Sequence, residues 1–186
     1  MSSGTRVHIG LGANLGDRVG QIEAAFTALA ALSSDGALIR SPLYETEPMG
    51  PIDQPDYVNA VGTFVTVLTP MALLVELQRI EREARRVRTA VRWGPRTLDL
   101  DLLRYGELVL DTPDLVLPHP GVTLRAFVLR PLVDLDPALE IPGRGRVDVL
   151  LAALDQRGLR ALEEPPSSLP SSLPSSPPDE PRSPKN

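Results

Sequence analysis

Leucine and aspartate alternate through Leu98-Asp99-Leu100-Asp101-Leu102, and a period of two belongs to a β-strand rather than a helix. A strand over Thr97 to Leu103 sends Leu98, Leu100 and Leu102 to a core and turns Thr97, Asp99 and Asp101 to the opposite face. Aspartate is depleted in strands, and two like charges on one face repel each other. Taken alone, such a pair reads as an exposed, solvated face. The alternative is a cation, because magnesium is commonly held by one or two carboxylates while nucleotide phosphates complete its shell.

The residues ahead of the strand shift the balance. From Arg79 to Arg96 there are seven arginines (79, 82, 85, 86, 88, 92 and 96) and two glutamates, a local excess of +5 in a chain of net charge −5. A guanidinium presents a planar fork of donors to phosphate oxygens and stays charged at any relevant pH. A solvated helix end accounts for Arg79 and Arg82. Arg88, Arg92 and Arg96 surround Trp93-Gly94-Pro95, a loop sequence. An arginine-rich loop feeding an aspartate pair suits a polyphosphate neutralised from both sides.

Other chemistries are excluded by what the chain lacks. There is no cysteine, only two histidines (His8 and His119), and Lys185 is the only lysine among 19 basic residues. Thiol nucleophiles, zinc–thiolate sites, histidine-rich metal centres, Walker loops and Schiff-base lysines are thereby ruled out for the folded part. The negative net charge argues against general nucleic-acid binding. No apolar run approaches membrane-spanning length, and the start lacks a signal-peptide pattern, so a cytoplasmic protein is expected. After Glu164 the sequence becomes PPSSLPSSLPSSPPDEPRSPKN. Residues 1–163 are read as one domain and 164–186 as a disordered Pro/Ser-rich tail.

Within the domain, Val7 to Gly10 reads as a strand and Ile22, Phe26, Leu29 and Leu32 recur at helical spacing. Ala37 to Tyr44 and Val58 to Val67 suit strands, and Thr69-Pro70 provides a cap and a first-turn proline for a helix marked by Leu73, Leu74, Leu77 and Ile80. Tyr105-Gly106 is a turn after which Glu107 to Leu110 is expected to pair back on the aspartate strand. Arg125 to Leu135 and Val147 to Leu154 read as helices. The interleaving predicts an α+β fold with helices packed on a mainly antiparallel sheet.

Three further segments are rich in polar chemistry. Tyr44 to Ala60 contains a proline-rich loop, and Tyr57 and Asn59 share a face beyond it, an aromatic ring beside an amide. Leu117 to Leu129 places His119 between prolines, followed by Arg125 and Phe127. GLGANLGD, Gly10 to Asp17, is neither a dinucleotide fingerprint nor a Walker motif, and its glycines are read as a tight turn.

GLGANLGD, TEPMGPIDQPDYVNA (Thr46 to Ala60), RVRTAVRWGPRTLDLDLL (Arg86 to Leu103) and LPHPGVTLRAF (Leu117 to Phe127) together resemble the 6-hydroxymethyl-7,8-dihydropterin pyrophosphokinase family of folate biosynthesis, colinearly from Val7 to about Leu154. The resemblance implies a ferredoxin-like single domain that transfers the β,γ-pyrophosphoryl group of ATP to a pterin hydroxymethyl group and releases AMP. It implies two Mg²⁺ ions on Asp99 and Asp101, with Arg86 and Arg96 beside them in catalysis. Gln78, Glu81, Arg88, Arg92, Trp93, His119 and Arg125 match nucleotide-contacting positions, and Trp93 belongs to a loop that closes over the substrates. Thr46, Met49, Tyr57, Asn59 and Phe127 match the pterin pocket. The chain departs from the family pattern at Arg85, Asp114 and Val116. The partners implied are small molecules, ATP and a reduced pterin, acting on a monomer with neither nucleic acid nor membrane. Two rival readings are an RNA-binding ferredoxin-like module, which leaves the aspartates unexplained, and a metal-dependent phosphodiesterase, which needs more ligands than the chain offers.

Overall fold

The computed structural model describes residues 4–48, 54–84 and 97–162. Strand β1 (Thr5–Ala13) leads through a turn at Gly16, whose φ is +64°, into helix α1 (Arg18–Ala30). Asp17 caps that helix by accepting a hydrogen bond from the Gly20 N–H at 3.0 Å. The chain returns as β2 (Ile39–Arg40), β3 (Tyr44–Thr46) and β4 (Tyr57–Thr66), then enters α2 (Pro70–Glu83). Thr69 caps α2 from the Ala72 N–H at 3.3 Å, with proline at the first helical position. Strand β5 (Asp99–Tyr105) completes the βαββαβ unit.

The strands lie in the order β3-β4-β1-β5, and every pairing is antiparallel. That is the ferredoxin-like arrangement. On one face, Val7, Ile9 and Leu11 of β1, Val58 and Ala60 of β4, and Leu98, Leu100 and Leu102 pack with Ile22, Phe26 and Leu29 of α1 and Leu73, Leu77 and Ile80 of α2. Each fully buried leucine contributes about 2 kcal/mol. The leucines of the alternating strand thus face the core as their period requires. No helix of the described residues is long and apolar enough to cross a membrane.

The opposite face carries a second, smaller core. After β5 come β6 (Leu110–Asp111), β7 (Val116–Leu117), α3 (Ala126–Leu135), β8 (Glu140–Ile141), β9 (Gly145–Arg146), α4 (Val147–Ala152) and β10 (Arg160–Ala161). Leu129 and Leu132 of α3 and Val147 and Leu151 of α4 close over Val61 and Leu103. The last strand among the described residues, β10, pairs with β3 at the sheet edge.

Three expectations need correction. Glu107 to Leu110 does not pair back on β5: Gly106, at φ +51°, turns the chain away, and Leu110–Asp111 pairs with Val116–Leu117 instead. Ala37 to Tyr44 is not continuous, because Pro42 has no N–H for a ladder. One extra residue is accommodated between the Arg40–Gly62 and Tyr44–Asn59 pairs, and the Ser41 hydroxyl accepts the Val61 N–H at 2.9 Å. Gly10 and Gly12 do not form a tight turn; they sit inside β1.

Candidate functional site

A cleft of about 270 Å³ opens on the second face of the sheet, over the C-terminal half of β1. The register explains which side chains reach it. Gly10 pairs with Asp101 and Gly12 with both Asp99 and Asn59, so the two carboxylates and the amide converge over the two glycines of β1. A Cβ on Gly10 would meet the Leu103 side chain at 3.3 Å, and one on Gly12 would meet Asn59 Oδ1 at 3.3 Å. The missing side chains let neighbours approach the backbone and leave the space that becomes the cleft.

The aspartates are held from behind. Glu81 of α2 is buried, and its carboxylate accepts the Leu100 N–H at 2.8 Å, fixing β5 midway between Asp99 and Asp101. A carboxylate buried on the core side is tolerable only with such a partner. The turn at Gly106 and the β6–β7 hairpin bring His119 back, and its N–H donates to the Leu103 carbonyl at 2.9 Å. The preceding Leu117–Pro118 peptide is cis. His119 Nδ1 accepts from the Gly121 N–H at 3.0 Å, which points Nε2 toward Asp101 Oδ1, 3.8 Å away. Arg125, at the start of α3, lies 3.8 Å from Asp101 Oδ2 and 5.9 Å from the centre of the Phe127 ring.

The other end of the cleft is flatter and less charged. Tyr57, Asn59 and Phe127 line it with Thr46 and Val128. The Asn59 amide donates to the Thr46 hydroxyl at 2.7 Å, which fixes its plane. Asn14, buried just past β1, donates to Gln54 Oε1 and to the Pro55 carbonyl, both at 3.1 Å, and Gln54 is in turn within 3.4 Å of the Tyr57 hydroxyl. Helix α3, which carries Phe127, is tied to β3 by the Tyr44 hydroxyl, a donor to Asp134 and an acceptor from Arg130 Nε at 3.2 Å. Burial first, and then the Asp134 carboxylate, raise the Tyr44 pKa above its ordinary value, so the phenol remains a donor.

The structure therefore brings Thr46, Tyr57, Asn59, Asp99, Asp101, His119, Arg125 and Phe127 together in one cleft. Gln78 and Glu81 lie on α2 and do not line it. Met49, Arg86, Arg88, Arg92, Trp93 and Arg96 lie outside the described residues, as does 164–186. Arg79 is engaged along α2 with Glu76 at 2.8 Å and Glu83 at 2.5 Å, as a solvated helix end should be. Gly10 and Gly12, which line the cleft, and Asn14 beside it were expected to form a turn and were given no role in the site. The glycines alternate like the aspartates they oppose, and that shared period was the available signal.

Among the described residues no three His, Cys, Asp or Glu side chains cluster as a self-sufficient metal site. Two carboxylates on one strand, open to the cleft, fit a hard cation that takes its remaining ligands from a substrate.

The sequence matches the family described as 7,8-dihydro-6-hydroxymethylpterin-pyrophosphokinase over residues 8–137. A 2-amino-4-hydroxy-6-hydroxymethyldihydropteridine pyrophosphokinase of Pseudomonas aeruginosa is 48% identical over 157 residues, 84% of this chain and 96% of that protein. The protein of the same name from Haemophilus influenzae is 47% identical over 135 residues, 73% of this chain and 84% of that one. Among solved structures, a Plasmodium falciparum HPPK-DHPS with pterin and p-hydroxybenzoate superposes with a TM-score of 0.62 at 15% identity, covering 82% of this chain. This chain spans 42% of that longer protein, and the likeness bears on the fold alone.

Proposed function

The chain belongs to the 7,8-dihydro-6-hydroxymethylpterin-pyrophosphokinase family, and from that premise we propose that its cleft transfers the pyrophosphoryl group of ATP to the hydroxymethyl oxygen of 6-hydroxymethyl-7,8-dihydropterin. The products are the dihydropterin diphosphate and AMP. One observation supports this most: an aromatic pair with a fixed amide and a pair of carboxylates share a single cleft. A planar heterocycle and a metal-bound polyphosphate each find complementary chemistry there.

At the apolar end, Tyr57 and Phe127 flank the pterin ring and Asn59, its amide fixed by Thr46, bonds the ring edge. Met49 is assigned to the same ring by its place in the family's motif. At the charged end, Asp99 and Asp101 supply oxygen ligands for two Mg²⁺ ions. Bound magnesium contributes charge neutralisation and alignment of the phosphates. His119 and Arg125 face the same phosphates, and each lies 3.8 Å from an Asp101 carboxylate oxygen. Arg86, Arg88, Arg92, Arg96 and Trp93 act on the nucleotide from the segment between α2 and β5. Gln78 is assigned to the nucleotide with them, and Glu81 serves by holding β5 in place.

In the transfer, the hydroxymethyl oxygen bonds to the β-phosphorus and gives up its proton to solvent as the bond from that phosphorus to the α,β-bridging oxygen breaks, and AMP departs with that oxygen. Little covalent work falls to the protein in phosphoryl transfer, so positioning and charge neutralisation carry the rate. Each fixed cation facing the developing charge contributes about 3 kcal/mol.

The test is to mix the protein with Mg-ATP and the reduced hydroxymethylpterin and identify the nucleotide product. AMP supports the assignment; ADP, or no turnover, overturns it. An RNA-binding role gains nothing from this geometry, since Asp99 and Asp101 would meet a phosphate backbone with like charge.

A further inference from the structure

Thr46 closes β3 and Tyr57 opens β4, and the two are paired across the ladder. They are the two ends of the segment 47–56, and both line the cleft at the end assigned to the pterin. The residue just before each of them, Glu45 and Asp56, is acidic, and the period of two turns both away from the cleft. On that outer face two arginines from distant parts of the chain meet them. Arg18, the first residue of α1, places Nη1 2.9 Å from Glu45 Oε1 and donates to the Asp56 carbonyl at 2.6 Å. Arg160, on β10, places Nη2 3.2 Å from Glu45 Oε2 and 3.3 Å from Asp56 Oδ2.

We propose that Arg18 and Arg160 form a clasp that holds the two ends of the pterin loop together from the back of the sheet, making Arg160 a positioning residue for pterin binding. The inference rests on the assignment of the cleft's aromatic end to a pterin. Neither arginine lines the cleft, so any effect must pass through Thr46 and Tyr57. Without the clasp, two carboxylates on adjoining strand ends repel each other and loosen the Thr46–Tyr57 pair. Strand β10 is itself anchored to β3: Arg160 pairs with Glu45 in the ladder, and the Leu162 N–H donates to the Leu43 carbonyl at 2.8 Å.

The side chain of Arg160 is 65% exposed, against 20% for Glu45 and 32% for Asp56, so its pairs are individually modest, and removing them should change binding about fivefold. The experiment compares the full chain with Arg160→Ala and Arg160→Lys in steady-state AMP release, varying each substrate in turn. Arg160→Ala should raise KM for the pterin about fivefold, leave kcat and KM for ATP within about twofold, and lower the thermal midpoint by no more than about 4 °C. Arg160→Lys, which keeps the charge but not the fork, should recover part of the loss. A pterin KM unchanged in Arg160→Ala, or KM values for both substrates moving together, overturns the inference while leaving the cleft assignment intact. A wild-type protein that releases no AMP overturns the assignment itself, and the clasp with it.

Discussion

Acidification from pH 7 to pH 5 is expected to cost the fold about 2 kcal/mol through His8 alone. His8 lies on β1 opposite Thr63 of β4 and Arg104 of β5, and only 2% of it is exposed. Burial, and then the positive charges of Arg104 and Arg6, push its pKa from 6.5 down to about 3. The folded protein therefore keeps His8 neutral at any pH above about 3, whereas the unfolded chain takes up a proton near 6.5. The contribution to stability is complete above the unfolded value and drains away as pH falls through the window between the two. At pH 5 the unfolded chain has been favoured over about 1.5 pH units at about 1.4 kcal/mol per unit, which gives the magnitude. Urea unfolding of the wild type and of His8→Leu, each at pH 7 and pH 5, isolates the term because every other titrating group is common to both. The difference in stability between the two pH values should be about 2 kcal/mol smaller in the variant. Equal differences would refute the argument that His8 is buried as a neutral ring.

Two predictions concern the cleft. Asp99→Ala and Asp101→Ala should each abolish AMP release while retaining the far-UV circular dichroism and cooperative melting of the wild type, because both carboxylates face the cleft rather than the core; normal turnover by either variant removes that residue from the metal site. Gly12→Val introduces a side chain whose Cβ meets Asn59 Oδ1 at 3.3 Å, and displacing the amide costs roughly one hydrogen bond, a rise of about tenfold in KM for the pterin measured by initial rates. An unaltered pterin KM would separate Asn59 from pterin binding.

Much of this arrangement was legible in the sequence where periodicity and chemistry agreed. The alternation of Leu98 to Leu102 assigned each side chain to its face, and the structure buries the leucines and opens the aspartates to the cleft. The caps at Thr69-Pro70 and the spacing of Leu73, Leu77 and Ile80 located α2 because those signals are local. What could not be read depended on partners remote in sequence. Whether Glu107 to Leu110 returned to β5 was decided by the β6–β7 pairing and by His119 reaching the Leu103 carbonyl, neither of which leaves a local trace. Gly10 and Gly12 looked like turn residues because glycine usually is one; their role in giving Leu103 and Asn59 room exists only once β1, β4 and β5 are side by side. Glu81, read as a nucleotide neighbour, is engaged with the Leu100 N–H on the core side of the sheet, a partner that helix periodicity alone does not reveal.

The central claim is that this cleft directs attack at the β-phosphorus of ATP rather than the γ-phosphorus. ATP carrying an isotopic label at the β-phosphorus distinguishes the two after a single turnover with the reduced hydroxymethylpterin and magnesium. The account predicts that the label leaves ATP with the pterin, as its diphosphate, and that the nucleotide recovered is unlabelled AMP. Label retained in ADP, with a single phosphate on the pterin, would contradict it.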